Sequence, residues 1–223
     1  VVRRGYDARR HGDVRLIYAL DVDTGVPPTL RNKGQPSLRL GEVPNTDYQY
    51  VTRDAPVGMH RPVVIGMGPC GLFAGLVLAQ MGFKPIIIER GQAVKERTAS
   101  TWGLWRQRVL TPESNVQFGE GGAGTFSDGK LYSQVSDKFH HGRKVLTEFV
   151  EAGAPDEILY VSKPHIGTFR LVTMVQNMRA KIIALGGEVR FDTRVDDLLL
   201  ESLDDGQQQV RGVVLQDGSE IRT

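Results

Sequence analysis

Residues 62–91 read PVVIGMGPCGLFAGLVLAQMGFKPIIIERG. An apolar run leads into glycines at Gly66, Gly68 and Gly71, and a helical pattern follows them, which is the context that a dinucleotide-binding βαβ unit requires. Gly66 permits a sharp turn, Gly68 lets the backbone approach a pyrophosphate, and Gly71 allows close packing of helix on sheet. We therefore predict a strand, a phosphate-binding turn and a helix over about 70–81.

The same stretch continues into a second strand that ends in an acidic residue. Gly82 falls where a glycine ends a helix, and residues 85–88 are apolar. Glu89 follows 23 positions after Gly66, close to the expected acid about 20 positions on, whose carboxylate accepts hydrogen bonds from an adenosine ribose. A cofactor with a 2′-phosphate would meet this negative charge, although the adjacent Arg90 softens that exclusion. NAD and FAD share the adenosine half, so both fit this unit.

Composition and length indicate a globular protein with a sizeable core. The chain has 223 residues, of which 40% are hydrophobic and 24% charged, with a formal net charge of +2. These values fit one large domain with a smaller one. No apolar run approaches the roughly 20 residues of a membrane-spanning helix, and the first residues lack the apolar core of a secretion signal. We therefore expect a cytoplasmic protein without a membrane partner.

Cysteine and histidine usage limits the chemistry further. The single cysteine, Cys70, excludes an intramolecular disulfide and a thiolate zinc cluster. It lies in the glycine turn, either as a small residue tolerated there or as a thiol activated by the helix N-terminus. The histidines are scattered, with His11, His60 and His165 far apart in sequence, so we expect no metal site.

Residues 1–61 differ in character from residues 62–223. A strand is predicted at 14–22, whereas residues 23–61 contain five prolines with scattered Gly and Asn and indicate a connector. We expect 1–61 to be a partial α+β appendage with a Pro-rich linker, and 62–223 to form the cofactor domain. The appendage is rich in arginine but lacks an aromatic stacking pattern, so a solvated charged face is favoured over nucleic-acid binding.

Further elements follow from apolar periodicity and turn residues after Glu89. Helices are predicted at 94–108, 140–153 and 168–185, and strands at 156–161, 188–191, 195–201 and 210–216, with one more strand beginning after the turn at 216–220.

A glycine-dense loop follows the helix at 94–108. Residues 118–131 read FGEGGAGTFSDGKL and include five glycines. Such a density makes either a mobile lid or a backbone surface that lies against a ligand, and the sequence leaves both interpretations open.

Two of these segments carry a family resemblance. Residues 63–91, with Pro69 after the second glycine and Glu89 and Arg90 at the end, resemble the FAD-binding signature of the glutathione-reductase-like flavoproteins. Residues 118–131 are similar to the loop of a bacterial family labelled FAD-dependent or NAD(FAD)-utilising dehydrogenases. The resemblance implies a Rossmann-like FAD-binding α/β fold, with a parallel sheet, flanking helices and a β-meander. It also implies an oxidoreductase with non-covalent FAD, an unidentified small-molecule substrate and NAD(P)H as a candidate electron donor.

The resemblance also implies roles for individual residues. The segment 185–195 is similar to the strand pair that holds adenine, with Val195 at the contact position. Arg97 is placed to reach the pyrophosphate, Ser127 and Asp128 to bond the ribityl chain or flavin, and Lys130 is either solvated or a cation that stabilises reduced flavin. No catalytic residue is assigned. The predicted cofactor-binding residues are Gly66, Gly68, Pro69, Cys70, Gly71, Glu89, Arg90, Arg97, Gly121, Gly122, Ala123, Gly124, Ser127, Asp128, Lys130 and Val195.

Two functions from different classes stay open. The first is the FAD-dependent oxidoreductase, and the second is a binding protein with a structural dinucleotide, whose basic appendage meets RNA or a protein partner. The resembling flavoproteins continue into a further strand, a glycine turn, a substrate region and an Asp-containing motif. The chain is therefore expected to be a fragment of a longer protein, open at both ends.

Overall fold

The computed structural model describes residues 1–10, 12–25, 41–52, 54–133 and 135–223.

A parallel sheet lies at the centre of the fold, in the order β3 (Val63–Ile65), β4 (Ile86–Ile88) and β5 (Glu188–Arg190). Helix α1 (Pro69–Gln80) joins β3 to β4, so the predicted βαβ unit is confirmed. All three isoleucines of β4 are buried, as expected for a central strand of a parallel sheet that is covered on both faces.

Helices cover one face of this sheet. The remaining α-helices are α2 (Val94–Gln107), α3 (His141–Glu151) and α4 (Thr168–Ala184), which confirms the predicted helices to within two residues at each end. Helix α4 packs against α1 and β5. The buried core on this side is built from apolar side chains of the sheet and both helices, including Leu72, Leu76, Ile87, Met178 and Ile182.

An antiparallel β-meander covers the other face. Its strands are β6 (Val195–Ser202), β7 (Gln208–Leu215) and β8 (Glu220–Arg222). Ile86 and Ile88 form a second buried cluster with Val213 and Leu215 of β7. Because successive side chains of a strand point to opposite faces, β4 contributes to both cores. The predicted α/β class with a parallel sheet, flanking helices and a meander is confirmed.

Two glycines explain how α1 can lie so close to the sheet. A Cβ on Gly71 would lie 1.9 Å from the carbonyl oxygen of Gly66, and one on Gly75 would lie 2.2 Å from Cδ1 of Ile87. At Gly71 the obstacle is backbone, so a Cβ would displace the helix or the turn, whereas at Gly75 either the helix or the buried Ile87 side chain must shift. The packing role predicted for Gly71 thus has a direct geometric basis.

The N-terminal region contains an antiparallel ribbon of β1 (Arg3–Arg10) and β2 (Asp13–Ala19). The sequence did not predict β1, because its residues are mostly charged and only the pairing with β2 makes it a strand. No helix occurs in the described part of residues 1–61, so the α+β description is wrong for that part. Residues 41–52 and 54–61 have no helix or strand, and residues 26–40 of the predicted linker lie outside the described ranges.

The predicted strand at 156–161 is also wrong. Asp156–Leu159 forms a short 3₁₀ helix, closed by hydrogen bonds from Ile158 N to the Pro155 carbonyl and from Tyr160 N to the Glu157 carbonyl. These local bonds satisfy the backbone in place of a sheet ladder. Val161 alone makes an isolated bridge, to Arg4 of β1.

The described part of the chain has neither a candidate membrane span nor a candidate metal-binding group. None of its helices is long and apolar enough to cross a membrane. None of its His, Cys, Asp and Glu side chains form a group of three that could hold a metal ion. His11 lies outside the described residues.

Candidate nucleotide site

A cavity of about 300 Å³ lies at the carboxyl ends of β3 and β4. Ligands of open α/β sheets bind at this edge, and small-molecule sites occupy about 300–1,000 Å³. The volume of this cavity lies at the lower end of that range, so the cavity can hold part of a dinucleotide and not the whole molecule. Its lining comes from four chain segments: Ile65, Gly66 and Gly68; Ile88, Glu89 and Arg90; Gln117, Phe118, Gly119 and Gly122; and Thr193, Arg194 and Val195.

The glycine turn presents bare backbone to this cavity. Gly66 has φ +90° and its N–H donates to the Ile88 carbonyl at 2.7 Å. A Cβ on Gly66 or Gly68 would meet no atom within 4 Å. Helix α1 begins at Pro69, and its N-cap Gly68 provides no side-chain cap. The exposed Cys70 belongs to the same first turn. Such an uncapped N-terminus favours an anionic group.

Glu89 is buried, 4% exposed, and bonds to backbone. Its Oε2 accepts from the N–H of Met67 at 2.7 Å, and its Oε1 accepts from Gly91 at 2.8 Å and Gly119 at 3.0 Å. An ionised carboxylate accepts about four hydrogen bonds, so one acceptor position is left. Glu89 therefore joins the glycine turn to the glycine-dense loop and keeps capacity for a ribose hydroxyl. The sequence predicted the second role and missed the first.

Arg97 on α2 bonds to the start of the glycine-dense loop and to the residues just before it. Its side chain is fully buried and donates to the carbonyls of Asn115 (2.8 Å), Val116 (2.7 Å), Glu120 (2.7 Å) and Gly122 (2.8 Å). Burial lowers the pKa of Arg97 to about 10, against the effect of nearby carboxylates, so the guanidinium stays charged at neutral pH. Arg97 is not among the cavity-lining residues, and its contact with a pyrophosphate stays a prediction.

Glu120 is a second buried carboxylate in this region, and the sequence analysis missed it. Its Oε2 accepts from the N–H of Val94 at 2.7 Å, at the start of α2, and from Arg179 of α4 at 3.1 Å. Burial raises the pKa of Glu120. A signal was present in the sequence, since Glu120 is the one charged residue between Gly119 and Gly124. Together, Glu89, Arg97 and Glu120 brace this loop, which argues against a mobile lid.

The cavity rim carries two arginines that one carboxylate joins. Glu113 accepts from Nε of Arg90 at 2.7 Å and from Arg194 at 3.1 Å, and these bonds hold the pKa of Glu113 below its usual value. The Arg90 guanidinium also lies 4.2 Å from the ring centre of Phe118. Only Arg90 of these four residues was predicted. Arg194 could have been predicted as well, because it directly precedes Val195, a predicted cofactor contact.

The second half of the loop lies outside this cavity. A Cβ on Gly121 would lie 2.1 Å from Oγ1 of Thr125. Packing within the protein therefore accounts for a glycine at this position, without a contact to a ligand. Ser127 bonds to the Gly124 carbonyl at 2.7 Å. Six predicted residues line the cavity: Gly66, Gly68, Glu89, Arg90, Gly122 and Val195. The others do not: Pro69, Cys70, Gly71, Arg97, Gly121, Ala123, Gly124, Ser127, Asp128 and Lys130.

Comparison with known proteins found no matching family model. An uncharacterized protein of Clostridium beijerinckii (strain ATCC 51743 / NCIMB 8052) is 40% identical over 199 residues, which are 89% of this chain and 37% of that protein. The solved structure of Thermovibrio ammonificans THI4 matches with a TM-score of 0.41 and 21% identity, over 69% of this chain and 46% of that one.

A second solved structure also matches this chain. It is the 3-ketosteroid-delta4-(5alpha)-dehydrogenase from Rhodococcus jostii RHA1 in complex with 4-androstene-3,17-dione, with a TM-score of 0.44 and 15% identity. The match covers 76% of this chain and 46% of that one. The chain thus spans less than half the length of each of these three proteins.

Proposed function

We propose that this chain forms the nucleotide-binding part of an FAD-dependent oxidoreductase that holds FAD non-covalently. One observation carries the proposal. A single cavity at the carboxyl edge of the parallel sheet brings together the uncapped N-terminus of α1 and the buried carboxylate of Glu89. This combination suits an adenosine diphosphate. The resemblance of residues 63–91 and 118–131 to flavoprotein segments favours FAD over NAD.

The described residues fit the adenosine half of this cofactor. Gly66 and Gly68 leave open space at their Cβ positions, so phosphate oxygens can approach the N–H groups at the start of α1. Glu89 keeps one acceptor position for a ribose hydroxyl. Val195 and Arg90 border the same cavity and offer contacts to the adenine. When bound, the flavin supplies hydride transfer, and the protein binds and orients it.

The remaining parts of the proposal come from the sequence. They are the division into residues 1–61 and 62–223, a cytoplasmic location, NAD(P)H as electron donor and a small-molecule substrate of unidentified structure. The residues predicted along the ribityl chain and flavin, Gly121 to Gly124, Ser127, Asp128 and Lys130, are also part of it.

The test uses the full-length protein. Acid denaturation followed by chromatography of the supernatant should release FAD, and anaerobic addition of NADH or NADPH should bleach the flavin absorption, with recovery in air. Release of NAD or FMN, or of no nucleotide, contradicts the cofactor assignment. FAD that no reductant bleaches supports the alternative, a binding protein with a structural dinucleotide.

A further inference from the structure

A second cavity, of about 590 Å³, is separate from the cavity that borders Glu89. The two cavities share no lining residue. The second is lined by Asp128, Lys130, Tyr132, Lys163, His165 and Gly167. Its chemistry is therefore set by two lysines, a histidine, a phenol and one carboxylate.

Backbone pairing fixes two of these side chains next to each other. Lys130 and His165 form an isolated antiparallel bridge. The hydrogen bonds from Leu131 N to the Pro164 carbonyl (2.8 Å) and from Ile166 N to the Gly129 carbonyl (3.1 Å) hold the two segments together. Residues directly opposite each other in such a pair project to the same side. The cationic side chain and the imidazole thus share one face.

Lys163 brings a second cation to the cavity from a strained backbone position. Its φ is +53°, a conformation that residues with a side chain seldom adopt and that is enriched at binding sites. Its Nζ lies 5.9 Å from the ring centre of Tyr132. The cavity therefore has cations on both of its chain segments.

Asp128 offsets only part of this charge. Among the described lining residues it is the one acidic side chain. Its carboxylate lies 3.5 Å from Nζ of Lys130, and the two side chains are 69% and 68% exposed. An ion pair this long and this exposed is weak. The cavity is left with an excess of positive charge, which attracts anions.

We propose that this cavity binds one carboxylate or phosphate group of a small molecule. Lys130 and Lys163 supply the charged hydrogen bonds, and His165 and Tyr132 supply further polar contacts. Both lysines line one cavity and do not form a stripe along the surface, so a single anionic group fits better than a polynucleotide. This proposal does not depend on the adenosine site, whose cavity shares no described lining residue with this one. At Asp128 and Lys130 it is an alternative to the flavin contacts that the resemblance implies.

Isothermal titration calorimetry of the full-length protein at low ionic strength tests the proposal, with sodium malonate and inorganic phosphate as probes. We expect saturable binding of at least one probe. Tighter binding of phosphate points to phosphate-bearing molecules, and tighter binding of malonate to carboxylates. The double variant Lys130→Met/Lys163→Met should weaken binding at least about tenfold, because two charge-assisted hydrogen bonds are lost. Lys95→Met, an exposed lysine of α2 outside the cavity, is the matched control and should change affinity less than about twofold.

Asp128→Asn provides a test in the opposite direction. Removal of the competing carboxylate should strengthen anion binding, a gain that neither misfolding nor a general loss of charge produces. The proposal is overturned if neither probe gives saturable heat, if Lys95→Met weakens binding as much as the double variant, or if Asp128→Asn leaves affinity unchanged. Binding of single-stranded RNA that malonate and phosphate do not displace would also overturn it.

Discussion

Two clusters of buried charge in this protein bond to different kinds of partner. In the helix cluster, Glu148 accepts from Gln80 at 2.7 Å, Lys144 at 2.5 Å and Lys181 at 2.7 Å, so side chains of α1, α3 and α4 meet at one carboxylate. Tyr50 joins the cluster through a 2.8 Å bond from Lys144. In the loop cluster, Glu89, Arg97 and Glu120 bond mainly to backbone groups.

The helix cluster holds three helices together, whereas the loop cluster holds the backbone of a loop in one conformation. A bond between side chains of two helices fixes their relative position, whereas the backbone of each helix is already satisfied. Residues 115–122 contain no helix or strand. Some of their N–H groups bond to backbone carbonyls, and others of their backbone groups take side chains as partners. The loop cluster supplies those partners beside the nucleotide cavity. We therefore expect changes in the helix cluster to affect stability alone, and changes in the loop cluster to affect ligand binding as well.

The largest effect is expected from Arg97→Met. It removes a donor from four carbonyls, of which those of Glu120 and Gly122 keep a 3.3 Å bond from Thr125. It also removes the cation beside two buried carboxylates, which should lower the free energy of unfolding by about 3–5 kcal/mol and release bound FAD. Urea unfolding and flavin content after gel filtration measure the two effects. Arg106→Met, at an exposed position of the same helix, should change both little. Retention of FAD in Arg97→Met would contradict the role given to the loop cluster.

A smaller effect is expected from Glu148→Ala. Its lysine partners are partly exposed, so loss of the carboxylate should cost about 2 kcal/mol of unfolding free energy while FAD stays bound. The matched control is Glu151→Ala, which removes an exposed partner of the same Lys181 and should cost less than about 0.5 kcal/mol. A Glu148→Ala protein that folds normally but loses FAD would remove the distinction between the clusters.

The comparison can be sharpened within the loop cluster with Glu89→Ala. This change removes the proposed ribose acceptor and three backbone contacts, so FAD affinity should fall by about 1–3 kcal/mol, or roughly 5- to 150-fold. Arg90→Ala should have a smaller effect, because Arg90 only borders the cavity. Quenching of flavin fluorescence in titrations of apoprotein gives both dissociation constants. Equal and small losses would argue against Glu89 as the ribose ligand.

The smallest effect concerns pH and has opposite signs in the two clusters. Burial raises the pKa of Glu148, but its bonds from Lys144, Lys181 and Gln80 outweigh burial and leave the pKa below the usual value. Burial raises the pKa of Glu120, and its hydrogen bonds do not offset this. A lowered native pKa stabilises the fold at neutral pH and loses that contribution in acid, whereas a raised one stabilises in acid and loses the contribution as pH rises.

Glutamine variants should reveal these opposite slopes. The stability difference between wild type and Glu148→Gln should grow from about pH 3 to about pH 6, around the usual glutamate pKa of about 4.3. The difference between wild type and Glu120→Gln should shrink as the pH rises above about 4.3, because a raised native pKa lowers stability from the unfolded-state pKa upward. Urea unfolding at a series of pH values measures both, and slopes of the same sign would show that the two carboxylates share one environment.

Regular elements with strong local signals were predictable from the sequence. The βαβ unit, the helices and the meander follow from glycine spacing and apolar periodicity, which are properties of neighbouring residues. Elements that depend on a distant partner were not predictable in this way. Strand β1 is a strand because of β2, and residues 156–159 form a 3₁₀ helix because no neighbouring strand pairs with them there.

The same distinction between local patterns and distant partners applies to the residues of the candidate site. The sequence alone predicted the glycine turn and the acidic residue at the end of β4, since both belong to a local pattern, and the resemblance to flavoproteins added Gly122 and Val195. Only the tertiary structure decided that Glu89 also bonds to Gly119, that Arg97 and Glu120 are buried braces, and that Glu113 links Arg90 to Arg194. Burial and hydrogen-bond partners depend on which segments meet in space, and residues as far apart as 113 and 194 carry no local sign of that meeting.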